Sequence, residues 1–226
     1  MSSDARKAPS RRQRQAAETR REILEVAQRL FLERGYSGTS IRDIATEADV
    51  AVQTIYSSVG SKAALAAALS DHLDESAGVG AVLARVQQAD DPAEVIDLAV
   101  SIPRAFVEGD TGSIVRAVES AAAVEPEMGV VLAEGARRHR EGAARIVGLL
   151  DERFGLREGV GTDHAAAVFA TMTAPGVWRD LTEEHGWNFD EAHAWITARL
   201  IAELLDPDAA GKETRRSETS KKGGKG

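Results

Sequence analysis

Apolar side chains recur along most of this chain at helical spacing. Ile23, Leu24, Ala27, Leu30 and Phe31 fall at i, i+1, i+4, i+7 and i+8, one stripe of an amphipathic helix, and Gly35 is suited to end it. Ser40 is placed to cap a second, short helix, with Asp43 three residues on and Ile41, Ile44, Ala45 and Ala48 on its buried side. That helix is expected to stop near Asp49. A third short helix is predicted from Val52 to Ser57, followed by a break at Gly60. Ser61 is then placed to cap a fourth, through Leu65 and Leu69 towards Leu73. Further helices are predicted near 80–88, 92–108, 113–124, 127–153, 163–183 and 190–205, between Gly- and Pro-containing breaks, with Pro103 expected to kink its helix. Strand-like alternation and hairpin dipeptides are absent, so the fold class predicted is all-α.

Two short helices joined by a tight turn and braced by a longer one form a helix-turn-helix. Ala45 is small enough for close packing of the two. Asp49 stands at the turn, where a left-handed backbone is needed, and Asp is among the few residues that tolerate it. Val50 and Ile55 are expected to anchor the turn and the third helix. Val52, Gln53, Thr54 and Ser57 are then left on an outer face slim enough to enter a major groove.

Charge sharpens this reading. The chain of 226 residues has a net charge of −8, but residues 1–62 carry 11 basic against 8 acidic side chains, while residues 63–205 carry 11 against 24. A polyanion would meet the N-terminal quarter. Arg6, Lys7, Arg11, Arg12 and Arg14 face only Asp4 within the first fifteen residues, so 1–15 reads as a disordered basic arm, and 207–226 as a disordered polar tail. Helix-turn-helix residues 16–62 and a helical domain over 63–206 lie between them. The absence of cysteine excludes disulfides and suits a cytoplasmic location. A membrane partner is not expected, since the stretch His164–Trp178 is too short to span and contains Pro175.

Thr39-Ser40-Ile41-Arg42-Asp43-Ile44-Ala45, Val50-Ala51-Val52-Gln53-Thr54-Ile55-Tyr56 and Gly60-Ser61-Lys62-Ala63-Ala64-Leu65, with Leu30-Phe31 and Gly35-Tyr36 upstream, resemble the N-terminal domain of the tetracycline-repressor (TetR) family over about residues 20–69. Trp178 to Trp187, followed by Trp195, is similar to the last two helices of many actinobacterial members. The resemblance implies a dimeric helical regulator with a C-terminal domain for dimerisation and small-molecule binding, more a repressor than an activator. Its partners would be a double-stranded DNA operator, an unknown effector and a second copy. Carried over position by position, Ser40 and Lys62 would hold phosphates and Arg42 a guanine or a phosphate. Val52, Gln53 and Thr54 would face base edges, and the Tyr56 hydroxyl would bond a phosphate. Asp49 in place of the common Gly, Ser58 in place of His or an aromatic, and Val59 in place of Phe depart from the family pattern.

The remaining chain offers no catalytic signature. The five histidines include no helical metal pair, and nucleophile-elbow and phosphate-loop motifs are absent; no metal, cofactor or enzymatic activity is expected. The last helix carries Trp195, Ile196, Leu200, Ile201, Leu204 and Leu205 over more than one stripe, which predicts a dimer seam involving Trp178, Trp195, Leu200, Ile201 and Leu204. An effector pocket among helices 92–183 would draw on Ile102, Phe106, Val115, Val118, Met128, Phe169 and Met172.

Overall fold

The computed structural model describes residues 10–76 and 78–206. All secondary structure among them is helical: α1 (Arg11–Arg34), α2 (Ile41–Glu47), α3 (Val52–Ser58), α4 (Lys62–Ser76), α5 (Val79–Gln88), α6 (Pro92–Ala105), α7 (Gly109–Ala122), α8 (Pro126–Phe154), α9 (Thr162–Met172), α10 (Pro175–Arg179), a π-helical turn (Asp180–Glu184) and α11 (Phe189–Leu204).

Three expectations change. Helix α1 starts at Arg11, because Ser10 and Gln13 close a capping box there; residues 11–15 are therefore helical and not part of a disordered arm. The rest of the arm, and the tail 207–226, lie outside the described residues. The helix expected over 92–108 ends at Ala105, with Pro103 in its last turn. The amides of Phe106 and Val107 bond to the carbonyls of Pro103 and Arg104, so the chain tightens into a turn there. The stretch 163–183 is not one helix. It breaks at Thr173 and Ala174, and Pro175 opens α10, where its missing N–H costs nothing.

The chain divides into two compact units. The first comprises residues up to Leu73 together with 113–132, so it reaches past position 62 and takes in segments of α7 and α8. Its core is Ile23, Leu24, Ala27, Leu30 and Phe31 of α1, Ile44 and Ala45 of α2, Ile55 of α3, Leu65 and Leu69 of α4, and Met128. The second unit comprises 74–112 and 133 onwards. There α6 packs on α5 and α11, around Val95, Ile96, Val100, Val147, Leu150, Phe169, Trp178, Ile196 and Leu200.

Polar ties fix the ends of the second unit's helices. The Arg153 guanidinium donates to the carbonyls of Val86, Gln87 and Ala89, the last at 2.6 Å, and so caps the C-terminus of α5. Arg104 bridges Glu108 at 2.7 Å and Asp190 at 2.8 Å, joining the end of α6 to the start of α11. His193 Nε2 lies 2.9 Å from Asp97 across the same pair of helices.

Candidate nucleic-acid interface

The geometry of α3 follows from local rules. Ser40 caps α2 in a capping box: the Asp43 amide donates to the Ser40 hydroxyl, while the Ser40 amide and hydroxyl both donate to the Asp43 carboxylate, at 2.8 and 2.6 Å. These bonds hold the Asp43 carboxyl below its ordinary range. The chain then reverses at Asp49, whose φ of +50° makes it the one described non-glycine residue in the left-handed region. The Val50 amide returns to the Ala45 carbonyl at 3.0 Å, which sets the tight turn. Ala45 is buried at the crossing, and Ile55 is the fully buried side chain that pins α3 to the core.

With Ile55 inside, the opposite face of α3 is open. Val52, Gln53, Tyr56 and Ser57 are exposed, at positions i, i+1, i+4 and i+5 of one helix face. Tyr56 is 51% exposed and Val52 37%. Thr54 is half-buried beside this face, and its carbonyl accepts from the Ser57 hydroxyl at 3.1 Å. Such a surface, small and polar with one phenol, can fit a groove and offer donors and acceptors to base edges.

The other expected contacts surround α3 in different states. Arg42 is exposed on α2, and Glu47 of the same helix bonds Arg29 of α1 at 3.0 Å. Ser40 is exposed, but its hydroxyl serves the cap. Lys62, at the start of α4, lies with its Nζ 3.9 Å from the centre of the Tyr36 ring. The cation is thereby positioned over an aromatic face, and Tyr36 is itself buried against Phe31, ring centres 5.1 Å apart.

Four supporting residues have roles that the sequence pattern does not suggest. Arg20 of α1 donates to the Ser58 carbonyl at 2.6 Å and caps the C-terminal end of α3. Its signal is a charge on the apolar side of α1, at i−3 and i−4 from Ile23 and Leu24. Thr39 is buried, and its hydroxyl lies 3.1 Å from the Leu30 carbonyl and 2.9 Å from that of Gly35, which ties the end of α1 to the entry of α2. Gly38 is required there, because a Cβ would stand 2.2 Å from the Arg34 carbonyl oxygen. Arg29 links α1 and α2 through Glu47, a pairing between elements that helical spacing cannot reveal.

Outside α3 the structure rearranges the expected sites. The seven residues expected to line a pocket do not share one core. Met128 is buried in the first unit with Val118 packed beside it, whereas Phe169 is buried in the second with Met172 against it. Ile102, Phe106 and Val115 are half-buried. Of the expected dimer seam, Trp178, Leu200 and Leu204 are fully buried within the second unit. Trp178 meets Phe189 and His193, at ring-centre distances of 6.3 and 6.2 Å. Ile201 is half-buried and Trp195 is 38% exposed, lining with Trp187 and Glu191 a shallow cleft of about 380 Å³.

No helix among the described residues is long and apolar enough to cross a membrane. Comparison with known proteins bears on the same segment as the α3 geometry. Residues 23–69, from the first buried residue of α1 into α4, match the bacterial regulatory proteins of the tetR family. The chain is 36% identical over 111 residues to the HTH-type transcriptional repressor Rv3405c of Mycobacterium tuberculosis, which covers 47% of this chain and 54% of the relative. The same figures hold for the HTH-type transcriptional regulator Mb3439c of Mycobacterium bovis. The chain thus spans about half the length of the curated relatives it matches. Among solved structures, it resembles a protein from Mesorhizobium loti assigned to the TetR family (TM-score 0.67, 20% identity, 88% of this chain and 100% of that one). It also resembles the transcriptional regulator FadR of Bacillus subtilis in complex with stearoyl-CoA (TM-score 0.62, 16% identity, 80% and 97%). At such identities the structural likeness speaks for the fold, while the helix-turn-helix match speaks for kinship. Over residues 23–69, the helix-turn-helix segment of this chain is similar to that of the tetR family of bacterial regulatory proteins.

Proposed function

We propose that this protein is a sequence-specific DNA-binding transcriptional regulator, acting as a homodimeric, effector-responsive repressor. The observation that carries the reading is α3: pinned by Ile55, capped by Arg20, and open along Val52, Gln53, Tyr56 and Ser57. Inserted in a major groove, Val52, Gln53 and Thr54 read base edges, and the Tyr56 hydroxyl and Lys62 ammonium hold phosphates on either side. Arg42 reaches a base or a phosphate, and Ser40 contributes its cap, with its hydroxyl reaching a phosphate only by leaving Asp43. Two copies read half-sites about 34–36 Å apart, or somewhat more.

In the dimer, Trp195 and Ile201 of α11 face the twin. A small-molecule effector binds the C-terminal helices, with Ile102, Phe106, Phe169 and Met172 in its wall, and biases the protein away from the DNA-matched arrangement. The naming of a mycobacterial relative as a repressor, and the acyl-CoA bound to the Bacillus regulator, support these two parts of the reading. Selection of bound duplexes from a random pool tests the central part: an enriched motif is expected, and recovery of unrelated sequences alone would overturn it. Light scattering that finds a monomer at micromolar concentration would remove the dimer.

A further inference from the structure

Three buried polar atoms in the second unit have no hydrogen-bond partner among the described residues: Trp178 Nε1, His193 Nδ1 and Thr197 Oγ1. Groups of this kind are rare inside a protein, because each one that stays unpaired forfeits the hydrogen bond it made with water. Here they are neighbours. The Trp178 ring of α10 stands 6.2 Å from the His193 ring, centre to centre. His193 and Thr197 are one turn apart on α11, where side chains share a face at a spacing of about 5–6 Å. Trp178 is fully buried and Thr197 is 8% exposed.

Local chemistry fixes what each atom offers. Asp97 of α6 accepts from the other imidazole nitrogen, His193 Nε2, at 2.9 Å, so the proton of the neutral ring sits there and Nδ1 is an acceptor. The indole Nε1 only donates, and the threonine hydroxyl does both. Thr197 is also set apart from its counterparts. Thr46, Thr173 and Thr182 each donate to the carbonyl four residues back, at 2.9, 2.7 and 2.9 Å, whereas the Thr197 hydroxyl makes no such bond to His193. Its oxygen is left for a partner that the helix itself does not supply.

We propose that Trp178, His193 and Thr197 form a binding site for one uncharged hydroxyl oxygen, carried by a water molecule or by a small alcohol. Such an oxygen accepts from the Trp178 N–H, donates to His193 Nδ1 and pairs with the Thr197 hydroxyl. At hydrogen-bond lengths of about 3 Å, it spans groups up to about 6 Å apart, which matches their spacing. Charged guests are disfavoured on either side: a carboxylate would face the Nδ1 lone pair, and an ammonium would face the indole N–H. The bound oxygen ties α10 to α11 by hydrogen bonds as well as by packing, and gives the second unit a polar subsite selective for hydroxyl groups.

The test uses the full chain carrying nitrogen-labelled tryptophan, whose three tryptophans give three indole N–H signals. Trp187→Phe and Trp195→Phe identify the signal of Trp178. Rotating-frame NMR then separates direct contact with a bound molecule from proton exchange by the sign of the cross-peak. A direct cross-peak from the Trp178 indole proton to water is expected, and, with carbon-labelled methanol added, one to its methyl group where the alcohol replaces that water. The first alone identifies the guest as water, and the second identifies it as an alcohol's hydroxyl; absence of both overturns the proposal. Thr197→Val supplies a second readout. Without a guest, exchanging a buried unpaired hydroxyl for a methyl leaves stability unchanged or raises it, whereas with one it leaves the guest short of a bond. A shift to a lower urea midpoint than that of the unaltered chain is therefore expected, and an equal or higher midpoint would overturn the proposal.

Discussion

Thr39→Val isolates the joint that orients the helix-turn-helix. The two side chains have nearly the same shape, so the substitution removes a hydroxyl and leaves the packing intact. That hydroxyl lies within bonding distance of the Leu30 and Gly35 carbonyls, at 3.1 and 2.9 Å, in a residue only 1% exposed. It has one proton and donates one bond at a time, so its removal leaves the receiving carbonyl short where water does not replace the donor. Such a change costs about 1–3 kcal/mol, and the added apolar burial of the second methyl offsets part of it, so the expected net is about 1.5 kcal/mol. Under exchange limited by the opening equilibrium, this corresponds to roughly tenfold faster amide hydrogen exchange, since about 1.4 kcal/mol is tenfold. The effect should appear in peptides covering 30–47 of the first unit. Peptides covering α11, in the second unit, should not change, and Thr39→Ser should retain most of the protection. Unchanged protection in Thr39→Val, or an equal decrease in Thr39→Ser, would refute the assignment of Thr39 as the hydrogen-bonded joint.

Asp49→Gly removes a side chain from a left-handed residue, where L residues pay about 1–2 kcal/mol and glycine pays about 0.5–1 in entropy; a net gain of about 0.5 kcal/mol is expected in thermal or urea unfolding followed by circular dichroism, and a decrease would contradict the strain. The Asp43 carboxyl should titrate below its ordinary range by NMR and move back up in Ser40→Ala. Because its folded value is lowered, the stability it lends is present above the unfolded carboxyl range and is lost as pH falls through the folded value; an unmoved titration in Ser40→Ala would refute the cap as the cause. Tyr56→Phe should weaken binding to every duplex alike, several-fold, whereas Gln53→Ala should change which base is preferred; unaltered preference in Gln53→Ala would count against a reading role for that position.

Much of the first unit is legible in the sequence because its signals are local. The stripe from Ile23 to Phe31, the cap at Ser40 and the tolerant residue at Asp49 each act within a few positions, and each appears in the structure where periodicity and turn chemistry put it. The outer face of α3 follows once Ile55 is assigned inward. Residues whose meaning depends on distant chain are not legible in that way. Arg20 looks like one arginine among several until Ser58 is beside it. The Ser40 hydroxyl, which the family pattern makes a phosphate ligand, is used by the cap it also forms. In α11 the breadth of apolar surface suggests a seam for a partner, yet Leu200 and Leu204, like Trp178 of α10, find their cover inside the chain, where α6 and α9 pack on α11. The break at Thr173 is hidden in an apolar run that crosses Pro175, a residue that opens a helix more readily than it continues one. Seven apolar residues on consecutive helices look like one pocket wall, but Val118 and Met128 go to one core and Phe169 and Met172 to the other, while Ile102, Phe106 and Val115 are half-buried.

The chain contains no cysteine, so a single thiol can be placed at will. Gln53→Cys on α3 and Glu203→Cys on the exposed side of α11, each coupled to a DNA-cleaving iron chelate and bound to the selected duplex, locate the two helices relative to the bases. Cuts clustered within the enriched motif are predicted from position 53, and none there from position 203. Cuts absent from position 53 while the duplex remains bound, or equal from both positions, would contradict α3 as the element that reads DNA.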